Sequence, residues 1–139
     1  MFHWVEMRTF CHATEDEDKV VAALRTVLPN AEVRSDVLEG HFGNLLVALI
    51  ARTEKASDIE AIWRRIVDAL GKDETLRDLE SRIDSDGVYH LRLDKQRAYR
   101  GGIERATSDD VISIRAKVAS FPRKREVAAG VVRAFVEAL

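Results

Sequence analysis

Hydrophobic and polar residues alternate along several stretches of the chain, which is the pattern of β-strands with one buried face. The segment from Phe2 to Ala13 is rich in aromatic and β-branched residues and predicts the first strand. From Ala31 to Leu38 charges occupy alternate positions, and from Leu45 to Arg52 a nearly unbroken apolar run is typical of a buried central strand. Further strands are predicted at Val88–Leu93 and Val111–Phe121, with a shorter one at Ile103–Arg105.

Between these strands, apolar residues recur at the spacing of amphipathic helices. Thr14 and Glu17 match the capping-box pattern and predict the start of a helix that Pro29 ends. A second helix, from Ser57 to Gly71, repeats the capping pattern at its start. Further helices are predicted at Asp73–Ile83, Lys95–Tyr99 (a single turn) and Pro122–Leu139.

The resulting order of elements is β-α-β-β-α-(α)-β-(β)-β-α, which lacks a regular βαβ alternation and predicts an α+β fold. We expect a mainly antiparallel sheet with the helices packed on one face. The 139 residues are enough to bury one core. Because no Gly-rich linker and no internal repeat interrupts the chain, the sequence predicts a single domain over residues 1–139.

The face of the sheet that the helices leave open is predicted to be basic, because alternate residues of each strand point to opposite faces. The residues predicted there are Arg8, Phe10, His12, His90, Arg92, Arg115 and Lys117. The cations would hold phosphates while Phe10 or Tyr99 stacks on a base. The alternative is a solvated face on which Glu6 and Asp94 neutralise some cations. The residues alone favour that alternative, because antiparallel sheets often leave one face in water.

The composition restricts the possible partners and compartments. The formal net charge is −2, so attraction to nucleic acid would have to come from local clusters such as Arg92–Arg105 and Arg115–Arg125. The single cysteine, Cys11, excludes an intramolecular disulfide framework. The first residues lack the pattern of a signal peptide, and no apolar run is long enough to cross a bilayer. We therefore expect a cytoplasmic protein with no membrane contact.

No residue pattern in the chain predicts a catalytic, metal or cofactor site. Cys11 and His12 are adjacent in a predicted strand, so their side chains diverge and do not form a dyad. The four histidines lack metal-ligand spacing. The loop GHFGN at 40–44 lacks the lysine of a phosphate-binding loop. It is either a tight connection, which the residues slightly favour, or a rigid loop that presents His41, Phe42 and Asn44.

Two further segments gather cations. In LRLDKQRAYRG, at 91–101, a predicted strand leads directly into a charged patch with one tyrosine. This patch is either a solvated connection or a cluster that meets an anion. In FPRKRE, at 121–126, three cations fall in the first turn of a helix, where the macrodipole disfavours them. They would bind an anion together with the free amide groups of that turn, or pair with Glu126 and other nearby acids.

Four segments, RTFCHATEDEDKV (8–20), EGHFGN (39–44), LRLDKQRAY (91–99) and FPRKRE (121–126), occur in the same order and with similar spacing in a family of small archaeal proteins. The chain resembles this family, which is described as predicted RNA-binding proteins and sometimes as exosome-associated. The resemblance implies an RNA partner and a fold similar to the ribosomal protein that binds 5S ribosomal RNA. The residues that it implies as contacts are Arg8, His12, His41, Phe42, Asn44, Arg92, Asp94, Lys95, Gln96, Tyr99, Arg123, Lys124 and Arg125.

With this resemblance, we interpret Lys95, Gln96, Arg97 and Tyr99 as an RNA-facing corner beside the cations of the neighbouring strand. We therefore predict a non-catalytic RNA-binding protein that acts alongside RNA-processing machinery such as the exosome. The alternative is a protein–protein adaptor or a homodimer that uses the same face or an edge of the sheet. A third hypothesis is an enzyme for phosphorylated substrates with a histidine, at 41 or 90, as acid–base.

Overall fold

The computed structural model describes residues 1–39, 45–122 and 124–139. In chain order its elements are β1 (Phe2–Cys11), α1 (Glu17–Val27), β2 (Val33–Glu39), β3 (Leu45–Thr53), α2 (Ala56–Leu70), α3 (Lys72–Leu76), a 3-10 turn (Glu80–Arg82), β4 (Val88–Asp94), α4 (Lys95–Tyr99), β5 (Val111–Val118) and α5 (Arg125–Glu137). The strands form one sheet in the order β2-β3-β1-β5-β4, with every neighbouring pair antiparallel. The predicted α+β fold with a mainly antiparallel sheet is confirmed.

One face of the sheet packs against the helices and forms the core. In β1, Val5, Met7 and Cys11 are buried and alternate with the exposed Arg8 and Phe10. The buried stripe of α2 that meets this face consists of Ile59, Ile62, Trp63, Ile66 and Val67. Full burial of one large aliphatic side chain contributes about 1.5–3 kcal/mol. The strand alternation and the helix period therefore select the same sheet face for burial, and the other face stays open.

A bulge at the start of β1 separates two aromatic residues onto opposite faces. The register with β5 shifts between Phe2 and Trp4. Phe2 therefore lies on the helix side, where its ring stacks on Trp63 with the centroids 5.3 Å apart and meets Phe135 edge-on. Trp4 lies on the open face, where it is paired with Lys117 across the strands. The aromatic contacts of Phe2 tie the first strand to α2 and α5.

Two helices begin later in the chain than the sequence predicts. α1 begins at Glu17 instead of Thr14, because the carboxylate of Asp16 accepts a hydrogen bond from a first-turn amide at 2.9 Å. α5 begins at Arg125 instead of Pro122. In both cases the residue immediately before the helix, Asp16 or Lys124, is extended, so the helix does not reach further towards the N-terminus.

Two shorter predicted elements are also different in the structure. The predicted helix at 73–83 is divided, because α3 ends at Leu76 and Asp78 adopts a left-handed φ of 56°. The predicted short strand at 103–105 is a single bridge between Leu93 and Arg105. Within residues 1–39, 45–122 and 124–139, no helix is long and apolar enough to span a membrane.

Candidate nucleic-acid interface

Strand pairing places arginines from three strands in one row across the open face of the sheet. From β2 to β4 the row consists of Arg34, Ile50, Arg8, Ser113 and Arg92. Neighbouring strands are about 4.8 Å apart, so the arginine Cα atoms lie roughly 10 Å apart along the row. The row therefore presents one guanidinium group on every second strand.

A second row lies two residues further along the strands. From β3 to β4 it consists of Arg52, Glu6, Arg115 and His90. Glu6 pairs with Arg115, with 3.4 Å between Oε1 and Nη1. The Arg115 side chain is 45% exposed, so solvent screens this pair and the guanidinium group keeps free donors. Lys117 continues the positive surface and donates to the backbone carbonyl of Asp86.

Two aromatic rings position arginines on the open face. The guanidinium carbon of Arg52 lies 4.5 Å from the ring centroid of Trp4, and that of Arg115 lies 5.6 Å from it. Arg8 lies 5.3 Å from the ring centroid of Phe10. These cation–π contacts hold the guanidinium groups close to the sheet without using their N–H donors. Phe10 is itself 38% exposed, so part of its ring remains accessible to a base.

Cations outnumber acids on the open face, although the chain as a whole is slightly acidic. On the strands themselves the cations are Arg8, Arg34, Arg52, Arg92, Arg115 and Lys117, and the acids are Glu6, Asp36 and Asp94; beyond the strands, Glu54 pairs with Arg52 and Asp84 with His90. The Asp94 carboxylate is engaged with α4, because it accepts a hydrogen bond from the amide of Arg97 at 2.8 Å. Among the described residues, neither Arg8 nor Arg92 has a carboxylate partner. Neutralisation by acids is therefore incomplete.

A groove of about 400 Å³ lies where the open face meets the edge strand β4. Its basic lining residues are Arg82, His90, Arg92 and Arg125. Arg125 donates from Nε to the carbonyl of Ile83 at 2.9 Å, and His90 Nε2 lies 2.8 Å from Asp84 Oδ2. Burial alone would raise the pKa of Asp84, but His90 and two backbone amides lower it below its ordinary value. The structure thus brings together predicted contact residues from β4 and α5.

Lys95, the first residue of the predicted RNA-facing corner, is buried. Its side chain is 2% exposed, and its ammonium group donates to the Phe10 carbonyl and to Glu15 Oε1, both at 2.9 Å. Asp110 Oδ1 lies 2.7 Å from the same nitrogen. Burial alone would lower the pKa of Lys95, but the two carboxylates raise it above its ordinary value. The prediction that Lys95 faces solvent is wrong, because its charge joins the ends of β1 and β5 to the start of α1.

The other members of that corner, Gln96, Arg97 and Tyr99, are exposed on α4. α4 packs against α1 on the helix side of the sheet, where Lys19 lies 5.6 Å from the ring centroid of Tyr99. Arg97 is paired with Glu104 at 3.2 Å. Tyr99 and Arg97 thus have partners on α1 and in the segment after α4, and the expected continuity of this corner with the strand cations stays a prediction.

The remaining predicted contact residues have separate positions. His12 is exposed beyond the end of β1 while Cys11 is buried, so their side chains diverge as predicted. Lys124 is exposed immediately before α5. The predicted residues His41, Phe42, Asn44 and Arg123 lie outside the described residues. In the part of the chain that the structure describes, no group of three or more His, Cys, Asp or Glu residues could hold a metal ion.

Sequence reasoning missed four residues of this surface: Trp4, Arg34, Arg52 and Arg82. The alternation of β1 already places Trp4 beside Glu6 on the open face, and the alternate charges of β2 do the same for Arg34. The alternation of faces along a strand likewise places Arg52 on the open face, at the end of the apolar strand β3. No local pattern places Arg82, because the bridge that follows the 3-10 turn sets the turn beside β4.

Comparison with known proteins relates this chain to RNA-binding proteins. A family model described as RNA binding matches residues 4–118. The RNA-binding protein PAB1135 of Pyrococcus abyssi is 34% identical over 144 residues, which cover 97% of this chain and 94% of that protein. The uncharacterized protein MJ0213 of Methanocaldococcus jannaschii is 31% identical over 81% of each chain. The solved structure of Mth689, a DUF54 protein from Methanothermobacter thermautotrophicus, has a TM-score of 0.86 at 33% identity and covers 98% of each chain.

Proposed function

Since this chain belongs to the RNA-binding family, we propose that it binds RNA across the open face of its sheet. The observation that carries this proposal is the row of arginines at 34, 8 and 92, with guanidinium groups on alternate strands. Arginine contacts to phosphates supply most of the sequence-independent affinity for nucleic acid. Arg115 and Lys117 extend the phosphate-binding surface, and Phe10 supplies a ring on which a base stacks.

The proposed activity is binding without catalysis. The arginines on the open face bind phosphates and position the chain, which requires no nucleophile and no cofactor. RNA incubated with the protein should therefore be recovered intact on a denaturing gel. Cleavage that disappears in a His90→Gln variant would instead favour an enzyme.

The test of the surface uses three substitutions that remove charge and keep a polar side chain: Arg8→Gln, Arg92→Gln and Arg115→Gln. Fluorescence anisotropy with a labelled RNA oligonucleotide should show weaker binding for each variant. In the triple variant, the slope of log affinity against log salt concentration should be smaller by about 2, because each lost phosphate contact contributes roughly 0.7 for a single strand. Arg65→Gln, which makes the same change on the outer surface of α2, is the matched control.

Wild-type affinity and an unchanged salt slope in the triple variant would exclude this surface. Light scattering distinguishes the adaptor or homodimer alternative. A dimer that resists high salt and protects Arg8 and Arg115 from chemical modification would support that alternative, since the same face would then be occupied by protein.

Two finer proposals follow from the family resemblance. The first is an association with RNA-processing machinery such as the exosome in the cytoplasm. The second is a mode of RNA binding similar to that of the ribosomal protein that binds 5S ribosomal RNA. Affinity purification from cells, with and without ribonuclease treatment, tests the first: a protein partner that survives the treatment is bound directly. Binding of 5S ribosomal RNA in preference to unrelated structured RNA tests the second.

A further inference from the structure

The groove at the β4 edge differs from the rest of the open face in its charge and its boundary. The groove is lined by three arginines, Arg82, Arg92 and Arg125. It is also lined by one acid, Asp84, which is hydrogen-bonded to His90. The three arginines and Asp84 together carry a formal charge of about +2. A phosphodiester inside an RNA chain carries a single negative charge, whereas a phosphate monoester at pH 7 carries about −1.5 to −2. The charge of the groove therefore matches a terminal phosphate.

Within the described residues, the arginines of the groove leave most of their donors unused. None of the three arginines pairs with a carboxylate among the described residues. Arg125 uses Nε for the Ile83 carbonyl, which fixes its side chain and leaves both terminal nitrogens as donors. The Nε atom of Arg82 is buried and has no hydrogen-bond partner in the described part of the chain. A buried donor without a partner is unfavourable.

The groove also lies at a boundary of the sheet. β4 is the last strand, and Ile83 bridges to Tyr89 along its outer edge. Arg125 is bonded to this same segment, and Asp84 is bonded to His90 on the open face. An RNA chain that crosses the sheet from β2 towards β4 therefore reaches the groove at the last strand, where the segment after the 3-10 turn and the start of α5 line it. Because the arginine row ends at this groove, an end of the ligand would lie there.

We propose that this groove binds the terminal phosphate of an RNA whose chain lies across the open face. The inference rests on the proposed function and names the ligand class more closely: RNA that ends in a phosphate monoester at its 5′ or its 3′ terminus. Arg82 and Arg125 make the contacts that are specific to the terminus, while Arg92 belongs to both the groove and the arginine row.

The experiment compares three forms of one internally labelled RNA oligonucleotide: 5′-phosphorylated, 3′-phosphorylated, and with hydroxyl groups at both ends. The wild-type protein should bind one phosphorylated form about tenfold more tightly than the hydroxyl form, the gain expected from one added hydrogen bond between charged groups. Arg82→Gln and Arg125→Gln should remove this gain while binding of the hydroxyl form changes by less than about twofold. Arg133→Gln on α5 makes the same charge change away from the groove and should keep the gain.

A thermal melt of each variant shows whether it is folded, and Arg125→Lys, which keeps a cation, should retain part of the gain. Equal wild-type affinity for all three RNA forms, or a gain that survives in the Arg82→Gln/Arg125→Gln double variant, would overturn the terminal-phosphate proposal and leave RNA binding by the sheet intact. A wild-type protein that binds none of the three forms would overturn both proposals. Shifts of the Arg82 and Arg125 Nε–H signals in NMR spectra, seen with the preferred phosphorylated RNA but not with the hydroxyl form, would support the groove directly.

Discussion

Replacing Lys95 with methionine should destabilise the fold strongly, although the two side chains have similar length. The substitution removes three hydrogen bonds or ion pairs, to the Phe10 carbonyl, Glu15 and Asp110. It leaves two carboxylates and one carbonyl without their cation. Removing one partner of a fully buried ion pair costs about 3–5 kcal/mol. Glu15 and Asp110 are 22% and 38% exposed, so water partly replaces the lost cation, and we expect about 3 kcal/mol, the lower end of that range.

The loss of folding stability in Lys95→Met should be larger at neutral pH than at acidic pH. Burial alone would raise the pKa values of Glu15 and Asp110, but hydrogen bonds, including those from Lys95, lower both below their ordinary values. A lowered carboxyl pKa stabilises the folded state above the unfolded-state pKa, and this contribution is lost as the pH falls through the folded-state pKa. The difference between wild type and Lys95→Met should therefore be largest near neutral pH and should shrink below about pH 5.

Urea unfolding followed by circular dichroism at pH 7 and pH 4 measures both effects. Lys19→Met is the matched control, because it makes the same change at an exposed lysine of α1, which lines a separate pocket between α1 and α4 together with Lys95. The control should lose no more than about 1 kcal/mol, the value of one exposed cation–π contact. A Lys95→Met protein with wild-type stability at pH 7, or with an equal loss at both pH values, would refute the assignment of Lys95 as a buried ion-pair centre.

Three further outcomes follow from the structure. Glu6→Gln should strengthen RNA binding, because it removes an acid that pairs with Arg115 on the open face. A salt titration of RNA affinity measures this effect. Unchanged or weaker binding would contradict it. Tyr89→Phe should cost about 1 kcal/mol in urea unfolding, since its hydroxyl donates to the Thr75 carbonyl, and should leave RNA affinity unaltered. Burial and nearby acids such as Glu15 raise the pKa of the Cys11 thiol. Mass spectrometry should therefore show slow reaction with iodoacetamide at about pH 8 until urea unfolds the chain. Equal reaction rates in native and unfolded protein would contradict the burial of Cys11.

The predicted strands and faces agree with the structure wherever the local hydrophobic pattern is strong. The alternation of β1 and β5 places Arg8 and Arg115 on the open face, as predicted, and the apolar stripe of α2 is buried, as predicted. The helix starts are less well predicted, because several polar residues before α1 can satisfy its first amide groups. Asp16 does so in the structure, whereas the capping-box pattern indicated Thr14.

Local hydrophobic patterns predict the five main strands, the long helices and the buried face of β1 and β5, because these depend on residues two to four positions apart. Which charges meet depends on contacts between distant parts of the chain. Lys95 is adjacent in sequence to exposed cations, yet its partners are 80 and 15 residues away, at Glu15 and Asp110. The order β2-β3-β1-β5-β4 likewise aligns Arg34, Arg8 and Arg92 in one row. Strand order and long-range pairing bring such residues together, and no local pattern encodes them.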